Sequence, residues 1–201
     1  MESNVFKLSN AGGMTSRTRY WSMLAGNTTW VPYAPTGSFE SIATTTLGST
    51  SASVTLSSIP STYTHLQIRV LGSMSASGSD DLCLRFNSDT GSNYATHYLV
   101  GNGSTASAGS YTSATFTRAG ANSMPTATNT YGVAIIDLLD YANTSKYKTM
   151  RALTGNDTNG AGYVALGSGL WQSTSAINSI TLYPFASTFT ANSQFALYGV
   201  K

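Results

Sequence analysis

The chain has 201 residues, of which 41% are apolar and only 9% charged, with a formal net charge of +2. That length suits one large β domain with a core that needs no staples, and the charged fraction lies far below the roughly 25% of an average soluble domain. A net charge this small is too little to imply a nucleic-acid binder, so no nucleic-acid partner is expected, and two histidines with one cysteine exclude a disulfide framework and a thiolate or His-rich metal centre.

Residues 1–37 have a texture of their own. MESNVFKLSN lacks the charged-then-apolar pattern of a secretion signal, so synthesis in a cytoplasm is expected. After Gly12-Gly13 come Arg17, Arg19, Tyr20, Trp21, Met23, Leu24 and Trp30, followed by Pro32 and Pro35. Two tryptophans and a tyrosine are a large apolar load for a segment outside the main domain, and such residues are usual interface anchors. Tyr20 to Leu24 are expected to form one or two helical turns that need a surface to lie on. Residues 1–37 therefore read as a docking arm and a stiff Pro/Gly linker.

From residue 38 onward short alternating segments recur, bounded by Gly, Ser and Asn. Ile42–Thr46 and Ser53–Leu56 flank a Gly-Ser-Thr-Ser turn and predict a hairpin. In Thr64–Val70 the residues Leu66, Ile68 and Val70 face one way and His65, Gln67 and Arg69 the other, which is a half-buried strand. Leu82, Leu84 and Phe86 repeat the pattern, with Cys83 between them as a small packed side chain. Tyr94–Val100 follows, then the flexible loop GNGSTASAG (101–109), then Tyr111–Arg118.

Val133–Tyr141 is a nearly continuous apolar run and predicts a central strand. Asp137 lies inside it, on one face with Val133 and Ile135. A buried carboxylate needs a partner, and Arg151, Lys148 and Lys146 on the next predicted strand supply candidates, so a buried Asp137–Arg151 ion pair is expected. Lys146–Leu153, Gly162–Leu166, Ile177–Tyr183 and Gln194–Val200 complete about ten strands, with no helix of ordinary length and no stretch approaching the eighteen apolar residues of a membrane span. The pattern over 38–201 predicts an all-β, antiparallel β-sandwich head of the jelly-roll kind; the Cys and Trp spacing of an immunoglobulin-like domain is missing.

Chemistry is thinly represented. No Gly-x-Ser-x-Gly elbow accompanies the histidines, the spacing of Asp80, Asp81 and Asp89 fits no calcium loop, and Asp137 and Asp140 fall on opposite faces of a strand, which weakens them as an acid/base couple. The chain is expected not to be an enzyme and to need no cofactor.

The segments GSFESIATTTLG (37–48), SSIPSTYTHLQIRV (57–70), RFNSDTGSNYATHYLVGNGS (85–104), IIDLLDYANTSKYKTMRALTGND (135–157) and SITLYPFASTFTANSQFALYGVK (179–201) resemble a family of bacteriophage virion structural proteins found in phages of cyanobacteria and other aquatic bacteria. The arm's TSRTRYWSMLAGN (15–27) is similar to the element that often precedes that module. The resemblance implies a virion component, commonly labelled a tail fibre, and carries no catalytic motif to transfer. A short tail-fibre or fibre-tip appendage is thus expected, with the arm docked on other virion proteins of tail or capsid and the head a homotrimer presented to a host-surface glycan. A capsid decoration protein is the first alternative. A carbohydrate-binding module or depolymerase, with Trp171 and tyrosines as sugar platforms, is the second.

Overall fold

The computed structural model describes residues 38–76 and 78–201, together with the backbone of three short strands that precede them. The chain divides into two compact units, Met1–Ser38 and Phe39–Lys201.

In the first unit Val5–Leu8 (β1), Arg19–Ser22 (β2) and Val31–Tyr33 (β3) form an antiparallel meander in which β2 is the middle strand. The helical turns expected over Tyr20–Leu24 are therefore replaced, over the described part, by a strand. Pairing on both sides gives the backbone of β2 hydrogen-bond partners that a solitary turn lacks.

The second unit is an antiparallel β-sandwich. Its strands are Phe39–Thr46 (β4), Val54–Leu56 (β5), His65–Gly72 (β6), Ser79–Asp80 (β7), Leu82–Phe86 (β8), Tyr94–Gly101 (β9), Ala106–Ala114 (β10), Thr117–Arg118 (β11), Met124–Pro125 (β12), Gly132–Leu139 (β13), Lys148–Asp157 (β14), Gly162–Trp171 (β15), Ile180–Pro184 (β16) and Gln194–Val200 (β17). A large sheet runs β10-β9-β15-β14-β13-β6-β17-β4 and a small one β11-β8-β16-β5, with β12 and β7 pairing separately. The chain passes from large sheet to small and back at β4, β5 and β6, and again at β15, β16 and β17, which is the alternation a jelly roll requires.

Alternation decides what is buried. Leu66, Ile68 and Val70 of β6 and Ala134, Ile136 and Leu138 of β13 face Leu82, Leu84 and Phe86 of β8 and Ile180 and Leu182 of β16, all in one core cluster. Cys83 is buried too, and burial pushes its thiol well above the ordinary value, so it is an unreactive packed side chain.

Three local expectations are corrected. Ile42–Thr46 and Ser53–Leu56 do not form a hairpin, because β4 pairs with β17 while β5 pairs with β16 in the other sheet. The loop between them bonds elsewhere: Leu47 N–H donates to Ser193 O at 2.9 Å, and Ser51 N–H to Phe189 O at 3.0 Å. Residues 101–109 are not all loop, since β10 begins at Ala106 and pairs with β9 from Gly101 backwards. The strand expected over Tyr111–Arg118 is broken by a register shift between Tyr111 and Ala114, with Ser113 at φ 52°; beyond it Thr117 and Arg118 join the small sheet. A bulge of this kind re-aims the chain and lets it change layers.

Candidate functional site

The outer face of the large sheet, the one turned away from the core, carries an apolar field. Strand register places Leu99, Leu166, Leu153 and Ile135 side by side on β9, β15, β14 and β13, in one row across the sheet. The neighbouring row holds Val164, Gly155, Val133 and Leu71 on β15, β14, β13 and β6. These aliphatics are between 44% and 61% exposed, because the inward set on each strand is the other one. On β13 the sandwich buries Ala134, Ile136 and Leu138 and leaves Val133, Ile135 and Leu139 outside.

That choice of face corrects the expectation for Asp137. It does share a face with Val133 and Ile135, but the face is the outer one. Asp137 sits directly opposite Arg151, and Arg151 Nη2 donates to its Oδ2 at 3.1 Å, with the arginine side chain 74% exposed and the aspartate 25%. The pair exists, and it is not buried. An ion pair in that setting contributes at most about 1 kcal/mol, not the several of a sequestered charge.

The pair belongs to a longer polar chain that starts in the next row and crosses at Arg69 into the row of Ile135. Gln67 Nε2 donates to Asp137 Oδ1 at 2.9 Å, and Arg69 Nε donates to Gln67 Oε1 at 2.9 Å. The Arg69 guanidinium lies 4.9 Å from the Tyr198 ring centroid and 5.7 Å from that of Phe39, within cation–π range. Charges on this face are thus balanced or stacked within it. At its β10 end the face is concave: a groove of about 620 Å³ runs over Leu99 and Leu166, bordered by His97, Ser110, Arg151 and Ser168.

Other chemistry-bearing residues are engaged in holding the fold. Asp89 accepts from Asn93 Nδ2 and Trp171 Nε1, each at 2.7 Å, and from Gly91 N–H at 2.8 Å. Asp80 accepts from Ser187 Oγ at 2.7 Å and Ala186 N–H at 3.2 Å, while Asp81 accepts from Asn122 N–H at 2.7 Å and pairs with Arg118. Arg118 in turn covers the small sheet's outer face, its guanidinium 4.2 Å from the Tyr111 ring and 4.3 Å from Phe185. Among the described residues no three His, Cys, Asp or Glu side chains gather as metal ligands do.

His65 Nδ1 accepts from Asp140 N–H at 3.0 Å, which closes the end of β13. Trp171 is 2% exposed and packs on Tyr94 at 6.3 Å between ring centroids and on Phe86 at 5.7 Å. It cannot serve as a sugar platform. Burial pushes the Tyr94 hydroxyl up to about 12, in keeping with a ring held for packing and for the Phe86 N–H it accepts at 3.1 Å.

Of the docking-arm residues, Arg17, Met23, Leu24 and Trp30 lie outside the described residues, and for Arg19, Tyr20 and Trp21 only the backbone of β2 is described. The apolar face itself was missed by sequence reasoning. Its signal was present in strands such as GVAIIDLL, where both alternating sets are apolar and one of them must be left outside a two-layer fold. No protein-family model matches this chain, and no curated protein matches it in sequence.

Proposed function

We propose that this chain is a structural component of a bacteriophage virion, a short tail-fibre or fibre-tip appendage whose arm, residues 1–37, docks on other virion proteins and whose β-sandwich head associates with copies of itself, as a trimer, and is offered to a host-surface glycan. The observation that carries the reading is the contrast within the head. Its described acids, its cysteine and Arg118 are occupied with loops, packing and paired contacts, whereas a broad apolar sheet face is left uncovered. Such a surface asks to be covered by another subunit, and nothing in it resembles a cleft with convergent perturbed acids. The resemblance of residues 37–48, 57–70, 85–104, 135–157 and 179–201 to phage virion proteins points the same way, and the low charge favours assembly because few ions must be desolvated when subunits meet.

The test is made on purified particles. An antibody raised against residues 39–201 should label tail tips in electron micrographs, and peptides of the chain should appear in the particle proteome at a fixed ratio to the tail proteins. Label spread over the shell would convert the reading to the capsid-decoration alternative, and absence from washed particles would overturn it. The depolymerase alternative loses its proposed tryptophan platform to burial; a loss of chain length when host polysaccharide is incubated with the protein would restore it.

A further inference from the structure

We infer that the outer face of the large sheet is the surface on which a second copy of this chain packs, an inference that rests on the self-association proposed above and assigns it a place. Seven aliphatic side chains in two adjacent rows stand 44% to 61% exposed, among them Leu153, Leu166, Ile135 and Val164. Among the described residues of Phe39–Lys201 no helix is formed, and the small sheet packs on the opposite, core-facing side of the large one. An isolated domain seldom leaves a contiguous apolar area of this kind in water.

Size, charge and edge geometry choose the occupant. Six strands from β10 to β6 at about 4.8 Å spacing, and four rows about 7 Å apart, make a face of roughly 800 Å². That is about what each partner contributes to a stable protein interface. Its one carboxylate is already paired, Asp137 with Arg151 at 3.1 Å, and the Arg69 cation is bonded to Gln67 and stacked on the Tyr198 ring. The face therefore needs no complementary field from its partner, and it fits a surface that is itself apolar, neutral and hydroxyl-rich. In a chain with 9% charged residues, a surface of that description is the same face on the other copies, which in a trimer would turn towards a shared axis. A glycan is disfavoured because the two apolar rows hold aliphatics and no aromatic ring, and a polyanion because both arginines are committed. The strand β10 adds a second observation. Its residues from Ala106 to Ser110 are exposed or half-exposed on both faces, at the border of the 620 Å³ groove. A strand buried on neither side is expected where a neighbouring copy completes its environment.

Light scattering of the full chain at micromolar concentration tests this. Wild-type protein should show a mass that is a multiple of 21.1 kDa. Leu153→Lys and, separately, Leu166→Ser should weaken self-association by roughly thirtyfold or more, while far-ultraviolet circular dichroism and the melting temperature stay close to wild type, since both side chains point away from the core. Thr55→Lys, on the exposed side of the small sheet, should leave the mass unchanged. A wild-type chain that scatters as a single copy, or a folded Leu153→Lys protein that keeps the wild-type mass, overturns the inference. Either result leaves the virion role to the particle experiment, so the two readings fail separately.

Discussion

Lys148 occupies an inward position of β14, on the face of Met150, Ala152 and Thr154, and is 1% exposed. Its ammonium donates to Lys146 O at 2.9 Å and Thr174 O at 3.1 Å, so the charge is held by carbonyls while the stem fills core volume. Burial, with a smaller contribution from the Lys146 charge, pulls its titration below the ordinary 10.5. A base whose folded titration is depressed penalises the fold at low pH; the penalty lifts as pH rises through the folded value towards 10.5, because the unfolded chain then binds more protons than the native one. Two results are expected from denaturant titrations. Lys148→Ala should cost about 2–5 kcal/mol through lost packing, whereas Lys148→Met, which keeps the stem, should cost no more than about 1.5 kcal/mol. Measured against the Met variant, which cancels the tyrosines common to both, wild type should gain stability as pH approaches 10.5. A difference that stays flat would mean that the ammonium reaches water, and one in which wild type loses ground would mean that the two carbonyls hold the charge more strongly than water does. Sequence alone offered Lys148 as one of three partners for Asp137. Its spacing from Arg151 already excludes both from one face of a strand, and only the register shows which of them turns in.

At the level of the strand, β15 explains how the layers approach and why its burial was not legible. The larger set in GYVALGSGLW is Val164, Leu166 and Leu170, yet the buried set is Ala165, Gly167, Gly169 and Trp171. Hydrophobic periodicity favours the first set, and sheet spacing overrides it. Opposite these glycines lies the short strand β11, so close that a Cβ on Gly169 would stand 2.1 Å from Thr117 Oγ1 and one on Gly167 2.3 Å from Ala119 O. Only a missing side chain admits that approach. Gly169→Val should therefore destabilise by about 1–3 kcal/mol or more, while Gly155→Val, where a Cβ meets nothing within 4 Å on the neighbouring strand β14, should stay within roughly 1 kcal/mol of wild type. Equal effects at the two sites would mean that the layers are not held together where β11 crosses β15. Strands with one plainly polar set, such as β6, were legible to the residue, because His65, Gln67 and Arg69 leave only one face for the core. Where both sets are apolar, as on β13, or where small residues form the inner set, as on β15, the pattern shows a strand without showing which way it faces. The candidate surface lay hidden in that ambiguity.

For the molecule as a whole, the question is whether the two units are energetically separate and whether the two sheets of the larger one are not. Among the described residues, the buried core cluster runs from Val54 to Leu197 and lies within 39–201. Within that unit the layers are bound by connectivity as well as packing, because the chain changes sheet between β4 and β5, β5 and β6, β8 and β9, β10 and β11, β15 and β16, and β16 and β17. Phe189 sits at the junction. It bridges both Ser51 and Met74 and packs on Phe195 of β17 at 4.8 Å between ring centroids. Neither sheet can open without exposing the apolar face of the other, so partial unfolding has no stable intermediate to stop at. Residues 39–201 produced alone should thus give an all-β circular dichroism spectrum and one cooperative urea transition, with coincident midpoints by far-ultraviolet dichroism and tryptophan fluorescence. The fluorescence would report Trp171 alone, since Trp21 and Trp30 are removed with the first unit. Its burial against Tyr94 and Phe86 makes it a probe of the interior near the β9–β15 seam, whereas dichroism averages over both sheets. Midpoints that separate, or a fragment that fails to fold, would show that residues 1–38 supply part of the core or that the sheets melt independently, and the division of the chain into a self-sufficient head and an appended first unit would have to be given up.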